Sequence, residues 1–220
     1  MNDALVLVDI QYDFMPGGSL AVAGGDEVVA IANAMQRNFG LVVATQDWHP
    51  RDHGSFASNH EGRRPGEVVE LDGLPQILWS DHCVQGSHGA ELHRDLDISR
   101  VGGVFRKGVD REIDSYSAFF DNAHRRSTGL GEFLRERGVT NVYILGLATD
   151  YCVKYSAIDA VALGFRTLVI EDGTRAVNLQ PNDGEQALAA MREAGVMVLG
   201  SGNVRFALAS EQHEEPALSR

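Results

Sequence analysis

The stretch NVYILGLATDYCVKYSAIDAVALGFRTLVI, residues 141–170, reads as strand, helix, glycine, strand. Its first apolar run, 141–145, is short and continuous, as a strand buried on both faces should be. Residues 151–163 carry an apolar stripe at helical spacing, Gly164 falls where a helix stops, and a second apolar run opens at residue 167. A helix that returns the chain to another buried strand is the unit of a parallel sheet covered by helices.

The same join recurs outward from this stretch. Helical stripes at 130–137 and 184–194 end at Gly138 and Gly195, and a further stripe covers 26–37. Apolar runs at 4–8, 41–45, 101–105, 167–170 and 196–199 join 141–145 as six strands. The expected fold is therefore α/β: a doubly wound six-stranded parallel sheet with helices on both faces. We expect one domain over 1–210 and a loosely ordered tail over 211–220. Residues 46–100 break the rhythm with a dense supply of His, Asp, Gly and Pro, and read as an inserted segment that builds a metal and substrate site.

Composition narrows the function. The 220 residues are 44% hydrophobic, enough for a sizeable core, and carry a formal charge of −12 that disfavours nucleic acid and anionic membranes as partners. A small-molecule ligand is expected. The N-terminus shows neither a basic segment nor a cleavage pattern, no run approaches 18 apolar residues, and the two cysteines, Cys83 and Cys152, do not make a disulfide scaffold. The reading is a cytoplasmic chain; homo-oligomerisation stays open.

In an open parallel sheet, ligands bind beyond the carboxyl ends of the strands. Asp9 follows the first expected strand, Asp47 and His49 the second, Lys107 the third, and Cys152 the fourth. Cys152 opens a helix, where backbone N–H groups and the dipole favour a thiolate and could hold an oxyanion. Asp9 can accept the thiol proton and Lys107 can balance the charges. Taken singly, Cys152 could be an inert core residue, Asp9 a turn aspartate and Lys107 a solvated charge. Asp47 and His49 point the same way from a strand end and, with His53, His60 or His82, could hold a divalent cation such as Zn²⁺, Fe²⁺ or Mn²⁺. Two other classes compete. A nucleotide-binding oxidoreductase would need a glycine-rich turn after the first strand, where Asp9-Ile10-Gln11 stands instead. A non-catalytic metal-stabilised module would leave Cys152 unreactive.

Six separated motifs carry a resemblance: DIQYDF (9–14), TQDWHP with SFASNH (45–50, 55–60), LWSDHCV (78–84), Lys107-Gly108, DSYSAF (114–119) and GLATDYCV (146–153). In this order they resemble the nicotinamidases, a branch of the isochorismatase-like cysteine hydrolases, across nearly the entire chain. The resemblance implies hydrolysis of nicotinamide to nicotinate and ammonia in NAD salvage, with pyrazinamide as a further substrate; a related small-amide or isochorismatase-type hydrolase is the alternative. It implies a triad of Asp9, Lys107 and Cys152, one divalent metal ion on Asp47, His49 and His82, and His53 either as a further ligand or beside the metal. It also implies an oxyanion hole from the N–H groups of Ala148 and Cys152, with a cis peptide at Leu147–Ala148. Phe14, Trp79 and Tyr116 are expected to wall the substrate ring, with His60 behind the ligands and Cys83 structural.

Overall fold

Six apolar runs become six parallel strands, the inner ones buried on both faces and the two edge strands partly exposed. The computed structural model describes residues 2–204, 207 and 208. The strands are β1 (Asp3–Val8), β2 (Leu41–Asp47), β5 (Val101–Lys107), β6 (Asn141–Leu147), β7 (Arg166–Arg175) and β8 (Met197–Leu199), in the order β5-β2-β1-β6-β7-β8. Every pairing among them is parallel. Alternate residues of β1 divide the core. Leu5 and Leu7 pack with Val28, Val29 and Ala32 of α1 (Glu27–Gln36) on one face. Ala4, Val6 and Val8 pack on the other with Leu130 and Leu134 of α2 (Leu130–Glu136), Ala157 and Ala160 of α3 (Lys154–Ala162), and Met191 of α4 (Asp183–Glu193). The fold is the doubly wound α/β sheet expected. No helix among the described residues is long and apolar enough to cross a membrane.

The structure departs from the sequence reading in three places. Val68–Leu71 (β3) and Leu74–Ile77 (β4) form an antiparallel hairpin inside the inserted segment. Strand β7 runs on to Arg175, because after a register shift its polar end pairs with Gly146 and Leu147. The turn into α3 is one wide π-helical turn, Thr149–Val153, before regular helix begins at Lys154. The expected loose tail, 211–220, lies outside the described residues.

Strand order reverses between β1 and β6, which places the switch point beside Asp9 and the turn that carries Cys152. Their close approach demands Gly146: a Cβ there would stand 2.1 Å from the Val8 carbonyl oxygen.

Candidate active site

Asp9, at the end of β1, is fully buried, and its Oδ1 accepts from the Thr45 hydroxyl at 2.6 Å. Lys107 ends β5 two strands away, and its side chain reaches across to place Nζ 2.9 Å from Asp9 Oδ2. The same ammonium donates to Asp47 Oδ1, to the Ser115 carbonyl at 3.0 Å and to Cys152 Sγ at 3.3 Å. The three residues proposed from strand ends therefore meet, with Lys107 as the hub. Asp9, Asp47 and Cys152 offer donor atoms within 4.8 Å of one another.

The electrostatics of this cluster follow from burying two carboxylates, one ammonium and one thiol together. Burial opposes charge on Lys107, yet Asp47 and Asp9 overcome it and hold the ammonium well above its ordinary value. For Asp47 burial is likewise overcome, by Lys107 and His49, so it stays a carboxylate. Asp9 is pushed up, by burial first and by Asp47 in addition, against the pull of Lys107. Burial also lifts the Cys152 thiol well above its ordinary value; Lys107 works against that and the two carboxylates reinforce it. The helix-start environment thus does not leave a resting thiolate, because the sulfur is enclosed and faces two acids. A protonated thiol beside a carboxylate of raised basicity is the resting arrangement.

The second cluster hangs on Asp47. Gln11 clamps its backbone, accepting from Asp47 N–H at 2.9 Å and donating to Asp47 O at 2.9 Å. His49 Nδ1 donates to the Gly108 carbonyl at 2.9 Å, and His82 Nδ1 donates to the Ser80 carbonyl at 2.8 Å. Each ring then turns Nε2, a lone pair when the ring is neutral, toward Asp47 Oδ2, at 3.5 Å for His49 and 3.7 Å for His82. Two lone pairs and a carboxylate oxygen converging within 4.8 Å repel one another unless a cation joins them. Asp47 accordingly overcomes the effect of burial and raises the proton affinity of His49. Mixed N and O donors of this kind fit a divalent cation. Gly108 is required by the same arrangement, with φ +63° and a Cβ that would strike the His49 ring at 2.3 Å.

His53 is buried close by, its ring centroid 4.3 Å from that of His49. Burial first, and His49 next, push it down to about 4, so the ring is neutral at pH 7. His60 bonds the Gly54 carbonyl at 2.7 Å and braces the loop that carries His53. Cys83 is fully buried, and its N–H donates to Asp13 Oδ2 at 2.7 Å, which fixes the chain just after His82.

Between the two clusters lies a narrow cleft, lined by Phe14, Trp79, Tyr116, Ala148, Cys152 and the cation-side residues Asp47 and His82. The Leu147–Ala148 peptide is cis, and the Ala148 carbonyl accepts from Tyr151 N–H at 3.2 Å and Val153 N–H at 3.0 Å. Sequence reasoning missed four lining residues: Leu20, Asp114, Tyr151 and Val177. Tyr151 makes edge-on contacts with Trp79 at 4.9 Å and Tyr116 at 5.4 Å, so it completes an aromatic wall. Its place one residue before Cys152 was the available signal.

The isochorismatase domain model matches residues 3–202. The chain belongs to the isochorismatase family. Among family members, the nicotinamidase of Escherichia coli (strain K12) is 50% identical over 196 residues, covering 87% of this chain and 92% of the relative. The solved structure of an Acinetobacter baumanii nicotinamidase and pyrazinamidase matches with a TM-score of 0.90 at 48% identity, covering 92% of this chain and 98% of that one. A Pyrococcus horikoshii pyrazinamidase solved in complex with zinc matches with a TM-score of 0.75 at 35% identity, covering 91% and 99%.

Proposed function

We propose that this chain is an amidohydrolase that converts nicotinamide to nicotinate and ammonia through a thioester on Cys152, and that it also hydrolyses pyrazinamide. The observation that carries the reading is the hub at Lys107: one buried ammonium 2.9 Å from a carboxylate and 3.3 Å from the Cys152 thiol, which lines an aromatic cleft. Relatives named nicotinamidase at high identity over most of the chain support the substrate.

An amide is a weak electrophile with a poor leaving group, so the nucleophile must be activated, the oxyanion held and the nitrogen protonated. Asp9 takes the Cys152 proton as Sγ bonds to the carboxamide carbon. The N–H groups of Ala148 and Cys152 receive the oxygen. Asp9 then passes the proton to the departing nitrogen, the C–N bond breaks, and ammonia leaves a thioester. Water attacks that thioester, giving its proton to Asp9, which returns it to the sulfur as nicotinate is released. Throughout, Lys107 keeps thiolate and carboxylate tolerable in a buried site. Phe14, Trp79 and Tyr116, with Tyr151, hold the flat ring by offset and edge contacts.

Asp47, His49 and His82 would hold one divalent ion, Zn²⁺, Fe²⁺ or Mn²⁺, which supplies a Lewis-acidic anchor for the pyridine nitrogen. The unit is one domain over 1–210, in which 46–100 brings His49, His53, Trp79 and His82 to the strand ends. The place of action is the cytosol, in NAD salvage. Ammonia release from nicotinamide, with metal content measured on the same sample, tests the reading; metal-loaded protein that releases none overturns it.

A further inference from the structure

The hairpin of β3 and β4 lies in the inserted segment, and of its strand residues Gln76 alone is buried, at 3% exposure. A hairpin that buries so little apolar surface adds little to the core, so what it brings inward is that one amide. It is fastened over the site at two points. Asp72 in its turn pairs with Arg125, and Leu71 packs on Gly54, where a Cβ would stand 2.5 Å from Leu71 Cδ1. The surroundings of Gln76 then orient its amide. The Ile77 carbonyl at 2.7 Å and the Asp114 carboxylate at 3.1 Å can only accept, so the NH₂ end faces them. The same nitrogen lies 3.1 Å from the Tyr116 hydroxyl, so two hydrogens serve three acceptors.

The Tyr116 oxygen also accepts from the Trp79 indole N–H at 3.2 Å, a group that can only donate. Both lone pairs of the phenol are thus engaged, and Asn122 Oδ1 holds the backbone by accepting Tyr116 N–H at 3.0 Å. Tyr116 and Trp79 line the cleft, and Tyr151 meets both edge-on. Gln76 stands behind this wall, bonded to Ile77, Asp114 and Tyr116 and not to Asp9, Lys107 or Cys152. We infer that Gln76 is a positioning residue for the substrate ring: through the Tyr116 hydroxyl it locks Tyr116 against Trp79 and fixes the slot that takes a flat aromatic amide, a role that rests on the reading of this cleft as the nicotinamide site. A slot set before the substrate arrives binds it without first immobilising its own walls. The effect therefore falls on binding of the ring and not on the bond broken at Cys152.

Kinetics of single and double variants test it. Gln76→Met keeps the length of the side chain and removes its donors; KM for nicotinamide should rise about 3–10-fold, the range set by one neutral hydrogen bond, with kcat little changed. Tyr116→Phe should raise KM by at least as much. In the Tyr116→Phe background, Gln76→Met should add less than about twofold, because the hydroxyl it acts through is gone. A full rise in that background would route the effect through Asp114 and overturn the inference. An unchanged KM in either single variant, or a Gln76→Met enzyme that loses kcat at constant KM, would overturn it too, and the Tyr116→Phe result holds even if Gln76→Met does not fold. If the wild type releases no ammonia from nicotinamide, the substrate reading fails, and ¹H–¹⁵N NMR still decides the wiring. The Trp79 indole N–H, assigned with Trp79→Phe, should shift in Gln76→Met as Tyr116 is released; a resonance that does not move would show that Gln76 does not hold Tyr116.

Discussion

Lys107 and Asp47 form a fully buried ion pair that joins the nucleophile's cluster to the cation cluster. The same ammonium serves Asp9 and Cys152, so neither cluster can change its charge without the other. Replacing Lys107 by Met should therefore do two things. Activity should be lost, and stability should fall by about 3–5 kcal/mol, since two buried carboxylates lose their counter-charge. Urea unfolding paired with an ammonia assay checks this, and a Lys107→Met protein of normal stability and rate would remove Lys107 from both roles.

Asp9→Asn keeps size and hydrogen bonding but cannot take the proton. The rate constant kcat should fall by at least ~10²-fold, typical for a positioned general base, while KM for nicotinamide changes much less. A variant with unchanged kcat would show that another group moves the proton.

The ligand-free thiol should be slow to alkylate. Burial raises Cys152, so its thiol stays protonated through neutral pH and loses its proton only above the ordinary range of about 8.5. Iodoacetamide labelling of Cys152 should be slow at pH 7 and climb as pH rises past that value. A rate already at plateau below pH 7 would mean a resting thiolate, and the proton transfer to Asp9 would no longer be needed.

The cation's part can be separated by substrate. His49→Ala or chelation should cost turnover mainly on pyridine carboxamides, because benzamide has carbon where the anchored nitrogen would sit. Misplacing a reactive carbonyl by about 1 Å can cost ~10²-fold. Comparable turnover of benzamide and nicotinamide by metal-loaded enzyme would leave the ion a structural role only.

The sheet was legible because its strands are nearly continuous in hydrophobicity and three of the helices, α2, α3 and α4, are followed by glycine. Asp9, Asp47, Lys107 and Cys152 were legible for a related reason, each standing at or just past a strand end, where the fold opens. The hairpin β3–β4 was harder to see. Its turn, Asp72-Gly73, has φ of +49° and +80°, the left-handed pair that Asp-Gly favours, but exposed Val68 and a strand Pro75 hid the flanks. Asp114 and Gln11 were missed because their roles lie in long-range bonds, to Gln76 and to the Asp47 backbone, that no spacing announces. The thiol's environment was misjudged because the helix start is visible in sequence, whereas the crossing of Asp9 and Asp47 over the sulfur is not.

Cys152 and Cys83 are both buried free thiols, so burial alone does not tell a nucleophile from a core residue. The most direct test of the account is intact-mass analysis of enzyme quenched during turnover of nicotinamide, with peptide mapping of any adduct. The account predicts a gain of one nicotinoyl group, located on Cys152, absent in Cys152→Ala and retained in Cys83→Ala. An adduct on Cys83, or sustained ammonia release by Cys152→Ala, would contradict it.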